Sequence, residues 1–431
     1  MTTINQLLEQ AQAAHDAADW SLLIESLQKL ILEDSQHPEI IKNQEYLLEL
    51  ALSVLEMADF QQRWDIAKVF TYLGDIAIPP LIEILEDENV DEEARWYAAR
   101  ILGEFQHPDV IEPLMELLKT DEDEELKAIA ATALGQMGTL AITGLAELLN
   151  NEETKLLAVR SLACIHNTET IAPLLMVVQD SQPAVRAAAI EALSSFRDER
   201  IPPLLLNALD DLAAKVRRVA VIGLGFRPDL CTELDLVTRL QPRLYDFNLE
   251  VCSAAAIALS RMGSEEAMQH LFQVLISPHT PITLQIEIIR ALIWVETLSC
   301  LGYLRQAFYQ STSETVWQEI VTVLGRVQKP QLTAPAAEIL LDILRSQHPV
   351  IKVASIKSAI ALSLGQLGCI QAIETLILLL ADSEQQVKLH VVAALKKLSP
   401  EVAFQKLQQL LNNSCITPDL HQGIAIALAE W

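Results

Sequence analysis

The fourteen residues Asp180-Ser181-Gln182-Pro183-Ala184-Val185-Arg186-Ala187-Ala188-Ala189-Ile190-Glu191-Ala192-Leu193 decide the architecture. A polar turn leads into a run whose apolar residues keep a helical period, and Pro183 stands at its start, where a missing N–H costs nothing. The ending, Ala or Ser then Leu and often Gly, recurs along the chain. Its leucines are Leu73, Leu102, Leu134, Leu162, Leu193, Leu224, Leu259, Leu292, Leu324, Leu364, Leu395 and Leu428. The intervals run from 28 to 35 residues, apart from 40 between Leu324 and Leu364. A period of about 30 residues marks supersecondary units stacked in a line, none of which buries its apolar face alone.

Each interval has the same internal order. A first apolar-periodic stretch often opens with proline, as in Ile78-Pro79-Pro80-Leu81-Ile82, Ile111-Glu112-Pro113-Leu114 and Ile201-Pro202-Pro203-Leu204. It ends in a polar turn such as Asp180-Ser181-Gln182-Pro183 or Asp382-Ser383-Glu384, and a second helix follows. Almost nothing alternates with period two, so the expectation is helix–turn–helix throughout.

Columns emerge when the units are aligned on the signature Leu. Four residues before it stand Ala98, Ala130, Ala158, Ala189, Ala220 and Ala255, small enough to let neighbouring helices approach. Seven before it stand Arg95, Lys127, Lys155, Arg186, Arg217, Lys357 and Lys388. Six residues ahead of that basic column come Asp121, Asp180, Asp211 and Asp382, placed to cap the second helix and to face a neighbouring cation. This ladder either holds the units in register or lines a groove for an anion.

The Asp180–Leu193 unit resembles a HEAT repeat of the short bacterial type found in phycobiliprotein lyases. About eleven such pairs fill residues 61–431, over four-fifths of the chain. The resemblance implies an all-α fold, a right-handed α-α superhelix or HEAT-repeat α-solenoid. Residues 1–75 lack the Asp–Arg pattern. They offer helices near Ile4–Ala14, Trp20–Leu32, Glu45–Met57 and Gln61–Leu73, and residues 1–60 are similar to tetratricopeptide hairpins. Such a segment serves as a helical cap over the first apolar interface, or as a separate docking module.

Composition narrows the function. The 431 residues carry a formal net charge of −27 with a pI near 4.7, which disfavours nucleic acid and anionic membrane surfaces. Met1 to Gln12 show no secretory pattern, and the apolar stretch Ile373–Leu380 is too short to span a bilayer. The six cysteines form no CxxC pair and read as reduced thiols, so a cytoplasmic protein is expected. Residues 1–150 hold 30 acids against 8 Lys/Arg, whereas residues 151–431 hold 28 against 23. The acids concentrate in two successive inter-helix turns, Asp87, Glu88, Asp91, Glu92, Glu93 and then Asp121, Glu122, Asp123, Glu124, Glu125. They should line one edge, either as a solvated face or as a dock for a basic-surfaced partner. By contrast Arg186 to Arg227, with Arg197, Arg200, Lys215, Arg217 and Arg218, is locally basic.

Two insertions break the period. One follows Leu224, near 225–243, and the other is a turn from Lys329 to Pro335. Each is either a binding loop or a plain bend.

No catalytic motif is present. A P-loop, GxSxG, a dinucleotide fingerprint and HExxH are all absent. None of the nine His is followed by Glu, so the paired His-Glu dipeptides of deoxyhypusine hydroxylase, a repeat-built di-iron enzyme, are missing. Cys164-Ile165-His166 supplies two soft ligands, too few for zinc. The segment Arg95-Trp96-Tyr97-Ala98-Ala99-Arg100-Ile101-Leu102-Gly103 is similar to one near the start of E-type bilin lyases, with Arg100-Ile101 in place of two Trp. That likeness makes Trp96 and Tyr97 candidates for partner or chromophore contact. Overall length and repeat style also resemble the cyanobacterial HEAT-repeat proteins that associate with A-type iron–sulfur carriers. The expectation is a non-catalytic scaffold or assembly factor linked to iron–sulfur or iron homeostasis. It would have no cofactor of its own, any bilin or cluster arriving with the partner. The alternative is a phycobilin lyase or chromophore chaperone.

Overall fold

The structure, a computed structural model, describes residues 4–34, 37–120, 122–346, 348–412 and 416–431. Asp121 and Cys415 lie outside the described residues. Every regular element among the described residues is helical. The chain divides into two compact units, residues 1–201 and 202–431, a division that no sequence signal announces. Around the expected boundary at residue 60, helix Gln44–Met57 packs on helix Phe60–Leu73.

In the first unit the second helices of successive repeats are Phe60–Leu73, Glu92–Leu102, Glu124–Gln136, Lys155–Cys164 and Pro183–Leu193. In the second unit they are Ala214–Gly225, Leu249–Met262, Ile282–Val295, Glu314–Gly325, Ala354–Leu367, Gln385–Leu398 and Pro418–Ala429. Within each unit these helices pack on one another more extensively than the first helices do. The chain is thus an α-solenoid in which second helices form the tighter layer. The signature leucines from Leu102 to Leu395 are completely buried, each contributing about 1.5–3 kcal/mol of apolar burial. The alanines four residues ahead, Ala98 to Ala255, are equally buried. Helix Ile4–Asp16 buries Ala11 and Ala14.

The charged ladder ties three repeats to the ones that follow them. Lys155 Nζ lies 2.7 Å from Asp180 Oδ2, Arg217 Nη2 lies 2.7 Å from Asp246 Oδ1, and Lys357 pairs with Asp382. In every case the cation belongs to one repeat and the acid to the following inter-helix turn. The acids do not cap the first turn of the second helix as expected. Asp180 Oδ1 accepts from the Gln182 N–H at 2.8 Å, Asp211 from Ala213 at 2.8 Å and Asp382 from Glu384 at 3.0 Å. Each bond closes an Asx turn onto the residue before the helix, and in Asp180 and Asp382 the other carboxylate oxygen meets the cation.

The same ladder reaches further toward the N-terminus than the sequence pattern suggests. Arg63 donates to the Glu56 carbonyl at 2.9 Å and pairs with Asp91 at 2.6 Å and Glu93 at 2.7 Å. It stands ten residues before Leu73 instead of seven, one helical turn displaced, and so escapes the column.

The insertions also resolve. Residues after Gly225 form short helical pieces, Pro228–Leu230, Leu236–Leu240 and Gln241–Tyr245, in place of one first helix. Lys329 to Pro335 is not a turn. Pro330 opens the 16-residue helix Pro330–Arg345, with Pro335 inside it. A proline in the second turn removes only one backbone bond, so the helix runs through it.

Candidate functional site

The two acidic turns meet at a cleft of about 380 Å³ in the first unit, at the small end of ligand-pocket sizes of about 300–1,000 Å³. Phe60, Trp96 and Leu126 provide its apolar lining, and Glu92, Glu93, Asp123 and Glu125 its carboxylates. Helix Glu92–Leu102 brings Trp96 one turn below Glu92 and Glu93, and helix Glu124–Gln136 brings Leu126 beside Glu125.

Several of the ten acids have structural work. Asp87 accepts from the Asn89 N–H at 2.9 Å, and that bond holds its carboxyl below the usual carboxylate range. Asp91 caps helix Glu92–Leu102 through the Ala94 N–H at 3.3 Å while pairing with Arg63. Asp123 caps the next helix through the N–H groups of Glu125 at 2.7 Å and Leu126 at 2.8 Å. Glu93 is held by Arg63, and Glu124 lies 3.3 Å from Lys127. Glu88, Glu92, Glu122 and Glu125 are exposed and carry no ion pair to a described residue. Asp121 lies outside the described residues.

Trp96 is half-buried at the cleft, whereas Tyr97 is 0% exposed and donates its hydroxyl to the Phe60 carbonyl at 2.9 Å. Tyr97 therefore supports the wall, with its ring 5.5 Å from that of Phe60 and 5.0 Å from that of Trp96. Phe60 and Leu126 are the members of this cleft that sequence reasoning missed, Leu126 because it reads as an ordinary core leucine and Phe60 because it sits across the presumed boundary between cap and solenoid. The cleft holds no nucleophile–base pair, and its chemistry is that of an aromatic floor under negative charge, which attracts a cation.

The locally basic stretch is largely neutralised. Arg200 grips Asp198 with two bonds of 2.7 and 2.8 Å and, with its own N–H, holds that carboxyl at about 2. Arg217 is paired with Asp246, and Arg227 lies 2.9 Å from Asp229. Among the described residues no group of three or more His, Cys, Asp or Glu is arranged to hold a metal. The five described cysteines are unpaired thiols. No helix among the described residues is long and apolar enough to cross a membrane.

A second exposed strip went unread in the sequence. Two residues after the signature Leu, at the C-terminal ends of four successive second helices of the second unit, stand Phe226, Arg261, Trp294 and Arg326. They border two open grooves of about 600 and 560 Å³.

Comparison with known proteins agrees with the repeat. A family model described as HEAT repeats matches residues 78–156, 142–225 and 201–285, and one described as PBS lyase HEAT-like repeat matches residues 356–382. No curated protein matches the chain. Among solved structures, the karyopherin Kap121p bound to the extreme C-terminus of the protein phosphatase Cdc14p is similar at 12% identity, covering 99% of this chain and 58% of that one, with a TM-score of 0.55. Importin beta is similar at 13% identity over 97% of this chain and 63% of its own, with a TM-score of 0.52. The chain thus spans about three-fifths of these solenoids, and the likeness is one of fold. The complex of CpcE and CpcF of phycocyanin lyase from Nostoc sp. PCC7120 has 20% identity over 56% of this chain and 94% of that one, at a TM-score of only 0.29. The chain carries HEAT repeats in an α-solenoid, a fold typical of protein-binding scaffolds.

Proposed function

We propose that this chain is a non-catalytic cytoplasmic scaffold whose first unit receives a basic side chain of a partner protein in the Phe60–Trp96–Leu126 cleft. The observation that carries this reading is the joining of an apolar aromatic floor to two unengaged carboxylates, Glu92 and Glu125. A lysine or arginine over Trp96 gains about 0.5–1 kcal/mol from the ring at an exposed site. Each rim carboxylate adds about 0.2–1 kcal/mol. The charge excess of residues 1–150 steers the encounter, so association is fast and salt-sensitive.

Within this reading the partner class suggested by sequence resemblance is an A-type iron–sulfur carrier, and the role is assembly or iron homeostasis. Any cluster stays with the partner. The second reading is a phycobilin lyase or chromophore chaperone, supported by the lyase-type repeat at 356–382.

The deciding experiment is affinity purification from the native host at low and high salt, alongside the double variant Glu92→Lys, Glu125→Lys. Iron–sulfur carriers recovered at low salt, and lost both at high salt and from the variant, support the scaffold. Coloured material with phycobiliprotein subunits, insensitive to the variant, overturns it in favour of the lyase.

A further inference from the structure

We propose that the second unit carries a separate docking surface of opposite chemistry, which takes an acidic segment of a partner chain that bears an apolar side chain beside its carboxylates. The surface is the groove of about 600 Å³ along helices Ala214–Gly225, Leu249–Met262 and Ile282–Val295. Its apolar members are unusually open for a repeat core, with Phe226 55%, Leu249 46% and Ile257 40% exposed. Three such side chains on one face make a contiguous apolar patch, not scattered surface leucines.

Two arginines flank the patch. Arg261 lies over Phe226, its Cζ 4.3 Å from the ring centroid. The guanidinium is thereby held in place, yet it meets no carboxylate and donates no hydrogen bond to any described residue. A pre-oriented fork of free N–H donors beside an apolar floor matches a carboxylate with a neighbouring Leu or Phe. Arg218 lies 3.6 Å from the exposed Glu250, a loose pair that an incoming carboxylate can replace. The other acid of the groove, Glu287, is engaged by Arg290 at 3.1 Å. The groove's lining thus carries two arginines and two glutamates, of which only Arg261 has no ion-pair partner among the described residues, so the unmet charge beside the apolar floor is positive and fits a carboxylate.

This proposal does not depend on the first-unit cleft, and its test separates the two. The full-length protein is titrated into a short fluorescein-labelled peptide in which glutamates alternate with leucine and phenylalanine, and anisotropy is read at rising salt. Binding that weakens with salt, falls about tenfold when glutamines replace the glutamates, and falls about tenfold in Arg261→Glu supports the proposal. Phe226→Ala should weaken it as well, whereas Glu92→Lys, Glu125→Lys should leave it intact. Equal binding of a lysine version of the peptide, or unchanged binding by Arg261→Glu, overturns it. Circular dichroism melting checks that Arg261→Glu folds, which is expected of a residue with no ion pair to lose. Sedimentation covers the rival occupant: self-association abolished by Arg261→Glu, with no peptide binding, would assign the groove to a second copy and overturn the proposal.

Discussion

Gly103 and Ala133 meet where two successive second helices cross: a Cβ on Gly103 would lie 2.6 Å from that of Ala133 and 2.7 Å from its Cα. The arrangement recurs. Gly225 faces Ala258 at 2.9 Å, Gly325 faces Ser363 at 2.5 Å, and Gly365 faces the Ala394 Cα at 3.0 Å. The glycine always follows one signature Leu, and its partner always precedes the next. Where the partner is serine, the crossing gains a hydrogen bond, from Ser161 Oγ to the Ala131 carbonyl at 2.7 Å and from Ser363 Oγ to the Val321 carbonyl at 3.0 Å. Close approach of backbones thus explains the Gly that follows Leu102, Leu224, Leu324 and Leu364, whereas Gly74 after Leu73 meets nothing and serves a positive φ of 75°.

Gly103→Val should therefore destabilise the protein by about 1–3 kcal/mol, since backbone and not a flexible side chain stands in the way. Gly302→Ala is the contrasting variant. It lies in helix Leu298–Gln310 with nothing within 4 Å of the added carbon, so about 0.5–1 kcal/mol of stabilisation is expected. Urea denaturation of both variants measures the difference. A Gly103→Val protein as stable as the wild type would refute the crossing argument.

The repeat, the helices and the small-residue columns were legible because periodicity and turn chemistry are local. The basic column was legible only in part, because at several repeats the position works by donating to a carbonyl and not by charge alone. Arg95 Nε donates to the Leu85 carbonyl at 3.0 Å, and Arg217 Nη1 to the Asp211 carbonyl at 2.8 Å, at the end of the preceding first helix or its turn. Where the basic residue is missing, Cys252 bonds the Asp246 carbonyl at 3.2 Å, Gln285 the Leu275 carbonyl at 2.9 Å and Trp317 the Phe308 carbonyl at 3.0 Å. Four side-chain types satisfy one orphan acceptor, and no pattern of charge could reveal that. The candidate cleft was half legible. The acids and Trp96 stand out in sequence, but Phe60 reaches them only through tertiary packing.

Trp317→Phe should accordingly cost about 1 kcal/mol, since the Phe308 carbonyl loses its donor while the aromatic packing is kept. Trp317→Gln, which restores a donor but loses ring contacts to Phe308 and His348, should cost more. Thermal melting of the two variants gives the order, and the reverse order would show that donation matters more than packing there.

Among the acids, function and structure separate by mutation. Asp123→Ala should cost about 0.5–2 kcal/mol through loss of two helix-capping bonds. Glu92→Gln and Glu125→Gln, which remove no ion pair, should stay within about 0.5 kcal/mol of the wild type. If the glutamine variants melt as early as Asp123→Ala, the rim carboxylates are structural and the cleft loses its free charge.

Acid should unfold the protein in a narrow window. Burial works to raise the Asp180 carboxyl, but the Lys155 hydrogen bond and the Gln182 N–H outweigh it and leave Asp180 below its ordinary range. Arg217 holds Asp246 low in the same way. A carboxyl whose folded pKa lies below the unfolded value of about 3.9 contributes stability that is complete above that value. The contribution is lost as pH falls through the folded pKa. Between neutral pH and the isoelectric region near 4.7, protonation of exposed acids also relieves repulsion within a chain of net charge −27. The melting temperature should therefore hold or rise from pH 7 to about 4.7 and drop steeply below about pH 4. Asp180→Asn begins less stable, having lost the ion-paired form, and should lose less on further acidification because one linked proton is gone. A wild-type protein that weakens steadily from pH 7 downward, with Asp180→Asn following in parallel, would show that the ladder does not set the acid limit.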